Sequence, residues 1–191
     1  MHLDGAPELS DALLLALATA APLRRVSLAR CGGLSDEGLC GLAAQRLELL
    51  ELSLDGCAVT DLTLRALALH CTGLQALSLR GCLRVSAAAL AGVAALGTLQ
   101  RLCLNGCPQV TDEVVAALAA HGPSQLQELD VSWCRDVSGE ALGHLADACP
   151  NLARIKAWGC TQLEAAFWDG HSNGGLRLLG RGEALLPVPG V

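Results

Sequence analysis

The feature that most constrains this chain is a repeat with a period of 25 to 27 residues. Six segments carry the pattern Leu-x-x-apolar-x-apolar-x-x-Cys, and the cysteines that end them are spaced 26, 25, 25, 27 and 26 residues apart. The segments are residues 23–31, 49–57, 74–82, 99–107, 126–134 and 152–160. A short unit of this kind cannot bury its own apolar face, so neighbouring units must stack on one another.

Each repeat unit divides into two halves. The alternating apolar residues before the cysteine predict a short strand with one buried face. After the cysteine, Ser or Thr, often followed by Asp, precedes an apolar pair three residues apart, such as Leu39 and Leu42 or Leu64 and Leu67. This is one face of a helix, with Ser or Thr as its N-cap and the acid at the positive end of the helix dipole. The sequence therefore predicts an α/β solenoid, a horseshoe with a parallel concave β-sheet and convex helices.

The repeat also sets the predicted domain boundaries. We predict an array over residues 1–163, with a partial first repeat, five full repeats over 23–151 and a partial last repeat. Residues 164–191 are predicted to be a degenerate cap or a flexible tail containing Gly and Pro. The apolar run at 12–20 imitates a secretory signal, but acids and no Lys or Arg precede it, and it fits a repeat helix. We expect a fragment or splice form of a longer repeat protein.

The recurring cysteines allow more than one interpretation. They are Cys31, Cys57, Cys82, Cys107, Cys134 and Cys160. Stacked strands lie about 4.8 Å apart, so spacing alone leaves disulfides open. Without a secretory signal we expect a reducing compartment, and we interpret these cysteines as structural thiols that fill the turn and donate weakly to backbone carbonyls. Cys71 and Cys149 recur near helix ends and are interpreted in the same way. A thiol redox or zinc protein is the remote alternative.

The whole unit resembles a known type of repeat. Leu-x-x-Leu-x-Leu-x-x-Cys, Val-Thr-Asp and an Ala-Leu-rich helix ending near Cys together resemble the cysteine-containing leucine-rich repeats of F-box/LRR proteins. They are also similar to those of antagonist-of-mitotic-exit-network proteins. The resemblance covers residues 3–163, and Val-Ser-Trp-Cys at 131–134 is similar to the Leu-Ser-Trp-Cys variant of F-box/LRR members.

The resemblance implies substrate recognition for an SCF-type E3 ubiquitin ligase, in ubiquitin-dependent protein degradation. The partner would then be a ubiquitination substrate, together with the cullin-ligase adaptor if a longer form contains an F-box. Because no F-box-like segment precedes the first repeat, two alternatives stay open. One is a regulatory scaffold of the mitotic-exit-antagonist type, and the other is a competitor that binds substrate without docking on the ligase.

Composition and spacing argue against several other classes of protein. The net charge is −6 and the basic residues are dispersed among acids, so we expect neither nucleic acid nor a membrane as partner. Cys103 and Cys107 form a C-x3-C without a second pair, and His70, His121 and His144 lie near predicted helix ends without a metal-binding spacing. We therefore expect no catalytic residues, metal or cofactor, hence no enzyme, and a cytoplasmic or nuclear location.

The outward positions of the strands remain as the candidate partner-binding surface. These positions are Arg25, Glu51, Asp55, Arg80, Arg101, Asn105, Glu128, Asp130, Arg154, Lys156 and Trp158, and Ser132 is predicted to face outward with them. The aromatic Trp158 lies among charges, as residues that anchor interfaces do. The alternative is a solvated sheet face, with Trp158 packed on the C-terminal tail.

Overall fold

The computed structural model describes residues 1–20, 22–45, 48–122, 124–163 and 172–180, in which short strands and helices alternate. The helices are α1 (Asp11–Ala20), α2 (Asp36–Ala44), α3 (Asp61–His70), α4 (Ala87–Gly92), α5 (Asp112–His121) and α6 (Gly139–Ala148), and a 3-10 helix, Val93–Ala95, extends α4. The strands are β1 (Arg25–Ser27), β2 (Glu51–Ser53), β3 (Ala76–Ser78), β4 (Arg101–Cys103), β5 (Glu128–Asp130), β6 (Arg154–Lys156) and β7 (Arg177–Leu179).

The strands form one parallel sheet whose spatial order follows the chain, from β1 to β7. Each strand pairs with the next without a register shift, so Val26 lies beside Leu52 and Leu52 beside Leu77. Equivalent positions of successive repeats therefore form straight rows across the sheet. The predicted α/β solenoid with a parallel sheet is confirmed.

Small aliphatic side chains fill the core between the sheet and the helices. The central strand residues and the leucines that follow the strands are buried, and so are most members of the predicted helix pairs. Leu39, Leu42, Leu64 and Leu67 are at most 3% exposed. A regular stack of such rows reaches dense packing without aromatic side chains, which explains how a chain with one Phe and no Tyr builds a core.

A row of carboxylates joins the N-termini of neighbouring helices. The Asp after each N-cap accepts hydrogen bonds from the N-cap residue of the next repeat: Asp11 from Ser35, Asp36 from Thr60, Asp61 from Ser86 and Asp112 from Ser138. The Asp61 carboxylate lies 2.7 Å from both the backbone nitrogen and the hydroxyl oxygen of Ser86. The sequence analysis assigned these acids to the helix dipole alone, so it missed their bonds between repeats.

The carboxylate row has a gap in the fourth repeat. Ala87 follows the N-cap Ser86 where α1, α2, α3 and α5 have Asp. An Asp at this position would accept hydrogen bonds from Thr111, the N-cap residue of the next helix. The hydroxyl oxygen of Thr111 is buried without a hydrogen-bond partner in the described part of the chain. Thr111 also makes no side-chain cap bond to its own helix α5. The missing carboxylate thus leaves one buried polar atom unsatisfied.

The sheet continues into the region after the last recognisable repeat. β7 pairs with β6, and Leu176 and Leu178 are buried against the core. The sequence analysis predicted a cap or flexible tail over 164–191 and did not predict this strand. Residues 164–171 and 181–191, which make up most of the predicted cap or tail, lie outside the described residues.

Candidate partner-binding surface

The outward side chains of the strands form two rows, which we call the strand face. The first row is Arg25, Glu51, Ala76, Arg101, Glu128, Arg154 and Arg177, and the second is Ser27, Ser53, Ser78, Cys103, Asp130, Lys156 and Leu179. The part of this face between β1 and β6 lines an open groove of about 730 Å³. Seven of the eleven candidate residues, all those on strands, lie on this face.

Part of the charge on the strand face is neutralised within the face. Arg101 reaches across Ala76 to Glu51, with 3.0 Å between Nη2 and Oε1, and Arg154 pairs with Glu128. In the described part of the chain, Arg25, Lys156 and Arg177 make no ion pair. The strand face therefore carries both signs of charge, with an excess of cations that make no ion pair in the described residues.

The other four candidates lie just beyond the strands, on what we call the carboxyl edge of the sheet. They are Asp55, Arg80, Asn105 and Trp158. Asp55 accepts hydrogen bonds from the Ser78 hydroxyl and from the Arg80 backbone N–H, so its carboxylate joins two repeats. Arg80 and Trp158 are exposed, whereas Asn105 is half-buried.

One predicted outward residue was wrong. Ser132 is only 1% exposed, and its hydroxyl accepts a hydrogen bond from the Trp158 backbone N–H at 3.2 Å. Its polar side chain satisfies a backbone donor of the next repeat, which is a structural use that alternation alone does not reveal. Ser132 is therefore removed from the candidate surface.

The sequence analysis missed Trp133 as a surface residue. Its side chain is 57% exposed, compared with 44% for Trp158, and its backbone N–H donates to the Trp158 carbonyl at 2.6 Å. Trp133 has φ of 64°. The residue at the same place is glycine in four other repeats (Gly56, Gly81, Gly106 and Gly159, with φ of 66° to 71°) and Arg30, with φ of 58°, before Cys31. The available signal was the departure from Gly just before the repeat cysteine.

The repeat cysteines form a second ladder on the buried side of the turn. The Sγ atom of each lies 3.0 to 3.2 Å from a backbone carbonyl oxygen of the preceding repeat, and the six residues are Cys31, Cys57, Cys82, Cys107, Cys134 and Cys160. All ten cysteines of the chain are free thiols. Burial raises the pKa of Cys82 and of Cys134 to about 12, so a reactive thiolate is disfavoured at both positions.

The remaining titratable residues form no recognisable reaction centre within the described ranges. No group of three or more His, Cys, Asp or Glu residues there is arranged to hold a metal ion. His70 and His121 are exposed at helix ends, and His144 lies 3.8 Å from Glu140 on the exposed face of α6. In the same ranges, no helix has the length and apolar character needed to cross a membrane.

Comparison with known proteins identifies the fold but not a close relative. No family model and no curated protein matches the sequence. Rad7, in a crystal structure of the yeast Rad7 and Elc1 complex, is similar with a TM-score of 0.71 and 25% identity over 91% of this chain and 44% of that chain. An internalin (inlF) from Listeria monocytogenes has a TM-score of 0.62 and 19% identity over 90% of this chain and 51% of that chain.

A third similar structure is the TLR13–ssRNA13 complex, with a TM-score of 0.56 and 19% identity over 93% of this chain and 23% of that chain. The chain thus spans about half or less of the length of each of these proteins. The matches agree with the register of the sheet and the alternation of strands and helices. The chain is an α/β leucine-rich repeat solenoid.

Proposed function

We propose that this chain is a protein–protein interaction module that holds its partner on the strand face and the adjoining carboxyl edge. The observation that carries the proposal is an exposed tryptophan, Trp158, two residues after Lys156, a cation that makes no ion pair in the described part of the chain. An exposed aromatic among charged residues is the typical anchor of a protein interface. The leucines, cysteines and capping residues stabilise the fold, so the outward side chains must determine which partner binds.

The rigidity of the array supports binding by a preformed surface. The strands from β2 to β6 are each fixed on both sides by parallel pairing, and hydrogen bonds of the carboxylate row and the cysteine ladder connect neighbouring repeats. A surface that is ordered before binding loses less conformational entropy when the partner docks. A row of side chains held this way suits recognition of an extended or convex protein segment.

For the biological setting we propose substrate recognition for an SCF-type E3 ubiquitin ligase. Its support is the resemblance of the repeats to those of F-box/LRR proteins and the similarity to Rad7, which was solved in complex with another protein, Elc1. The buried free thiols fit a reducing compartment, so we propose the cytoplasm or the nucleus as its location. Catalysis would belong to other subunits.

The strand face is tested by comparing the partners captured by two tagged full-length variants. The first carries Arg154→Glu and Lys156→Glu on the strand face and Trp158→Ala on the adjoining carboxyl edge. The control carries Arg65→Glu and Leu69→Ala, which change a charge and an exposed leucine on the opposite, helical side. We expect quantitative mass spectrometry to show partners lost from the first variant and kept by the control. Equal capture by both variants and the wild type would contradict the proposal.

The ligase role is tested separately by the identity of the co-purifying proteins. If the chain, expressed in its longest natural form, recognises substrates for the ligase, the cullin adaptor is recovered and substrate levels rise when the chain is depleted. Partners that depend on the strand face but come without the adaptor would instead indicate a regulatory scaffold or a competitor. That result rejects the ligase role and leaves the interaction module in place.

A further inference from the structure

Trp133 occupies a backbone conformation that its side chain disfavours. Its φ of 64° lies in the left-handed region, where a bulky residue is strained and where glycine is found in neighbouring repeats. The side chain is 57% exposed, so more than half of the indole is left accessible to a partner. An exposed aromatic held in a strained position indicates a role outside the folding of the chain.

The indole of Trp133 lies against the repeat that carries Trp158. A Cβ atom placed on Gly159 would come within 2.5 Å of Cε3 of Trp133, so the ring lies directly over that glycine. Gly159 immediately follows Trp158, and the Trp133 backbone N–H donates to the Trp158 carbonyl. Two exposed tryptophans therefore occupy neighbouring turns at the carboxyl edge of β5 and β6. We call them the tryptophan pair.

The net charge of the strand face is opposite in sign to that of the whole chain. The strand face carries five cations and three acids, whereas the chain has a net charge of −6. Two ion pairs neutralise two of these cations and two of these acids. Of the three cations left, Lys156 lies two residues before Trp158, and Arg177 lies on β7 beside Arg154, four residues before the level of Trp158. The third acid, Asp130, is beside Lys156 in the register and accepts from the Ser132 backbone N–H.

We propose that Trp133, Trp158, Lys156 and Arg177 form a docking site for an acidic segment of a partner protein that carries an apolar anchor residue. The inference rests on the proposed function and adds the chemistry of the partner. The apolar residue packs on the indoles, and the flanking carboxylates meet the two free cations. A protein segment fits better than a nucleic acid, because nucleic-acid binding draws on many basic contacts to phosphates, and only two cations without an ion pair in the described residues belong to this site.

The docking site is tested on the full chain with four fluorescein-labelled probes. They are a Glu/Ser peptide with a central Leu pair, the same peptide with Ser in place of Leu, a Lys/Ser peptide with the Leu pair, and oligouridine. Fluorescence anisotropy measures their affinity. We expect the acidic peptide with leucine to bind roughly tenfold or more tightly than the other three, because an anchor and its charged surroundings contribute together.

Trp133→Gly is the decisive variant, because glycine suits the left-handed position. We expect it to melt at the same or a higher temperature than the wild type and to bind the acidic leucine peptide roughly tenfold or more weakly. Arg177→Glu should weaken binding as well, through charge alone. Leu69→Ala, which removes an exposed leucine from α3, should leave the affinity unchanged.

Several results would overturn the docking site. Equal binding of the acidic peptides with Leu and Ser, or a lower melting temperature of Trp133→Gly with unchanged affinity, would make the tryptophans structural. Tightest binding of oligouridine would make this an RNA surface. A dimer that Trp133→Gly dissociates would assign it to a second copy, and a variant-dependent loss of protease protection at 181–191 would assign it to the chain's own C-terminal residues.

The inference and the proposed function fail in different ways. If no peptide binds, but the triple strand-face variant still loses partners that the α3 control keeps, the docking chemistry is wrong and the interaction module stands. If the peptide binds as expected, but no partner depends on the strand face in capture experiments, the proposed function fails and the docking site remains an isolated binding activity.

Discussion

Filling the gap in the carboxylate row should make the solenoid more stable. Ala87 stands where Asp36, Asp61 and Asp112 stand in other repeats, one residue after the N-cap. Its replacement, Ala87→Asp, places a carboxylate next to the buried, unsatisfied hydroxyl of Thr111. By analogy with the other repeats, the new carboxylate accepts from both the hydroxyl and the backbone N–H of Thr111.

The size of the gain follows from the bonds seen in the intact repeats. Asp36 lies 3.0 Å from the Thr60 nitrogen and 2.8 Å from its hydroxyl oxygen. A hydrogen bond to a charged group contributes about 1.5–3 kcal/mol. The lower helix propensity of Asp costs about 0.5 kcal/mol relative to Ala, and its place in the first turn of a helix offsets much of that. We expect a net gain of about 2 kcal/mol in the free energy of unfolding, with the melting temperature raised by roughly 4–8 °C.

Differential scanning calorimetry at pH 7 measures this gain, with Ala88→Asp as the matched control. Ala88 is the next residue of α4 and is exposed, so the control adds the same charge near the helix N-terminus without the bond to Thr111. A cycle with Thr111→Val isolates that bond. Thr111→Val should change the free energy of unfolding little in the wild type. In the Ala87→Asp background it should lower the free energy of unfolding by about 1 kcal/mol or more.

Acid titration gives an independent signature of the new carboxylate. Hydrogen bonds from the Ser86 backbone and hydroxyl lower the pKa of Asp61, and a carboxylate at position 87 should be affected in the same direction. A group whose pKa is lowered by folding stabilises the protein above its unfolded pKa, about 3.9 for Asp, and loses that contribution as the pH falls further. The reasoning is refuted if Ala87→Asp melts no higher than Ala88→Asp, or if the Thr111→Val cycle shows no coupling.

Three further outcomes are expected from the same ladders and from the strand face. Asp36→Ala leaves the buried hydroxyl of a threonine partner unsatisfied and should lower the stability by about 2–3 kcal/mol, against less than about 0.5 for Glu37→Ala, as measured by urea unfolding. In native protein at pH 8, iodoacetamide should label Cys103 before Cys82, whose high pKa and burial protect it, and mass spectrometry that finds Cys82 labelled first would contradict this. Arg101→Ala breaks only an exposed ion pair, so its melting temperature should match the wild type within about 2 °C.

The fold was predictable because the same pattern of apolar residues recurs in six segments of the chain. The strand and helix positions follow from apolar spacing that packing enforces in every unit, and one degenerate repeat does not obscure the period. β7 was missed because Arg177–Leu179 keeps the alternation but lacks the Leu frame and the cysteine. Its place in the sheet depends on the exposed edge of β6, which is a tertiary feature rather than a local one.

The candidate surface was predictable only in part. Alternation placed the strand residues on the outward face, since side chains of a strand point to opposite sides in turn. It fails beyond the strand, where the chain turns, and this is why Ser132 was predicted to be exposed and Trp133 was not recognised. The ion pair between Glu51 and Arg101 was also hidden, because it joins residues two repeats apart.

Departures from a repeat are informative about function only when the fold does not explain them. Ala87 stands where neighbouring repeats have Asp, and its effect is confined to one buried hydroxyl. This substitution therefore lowers stability and creates no surface feature that a partner could recognise. Trp133 departs from Gly, strains the backbone and exposes an aromatic ring beside Trp158. Substituting each departure by the residue found in neighbouring repeats separates the two cases. Ala87→Asp should change stability without affecting binding, and Trp133→Gly should weaken binding roughly tenfold or more without lowering stability.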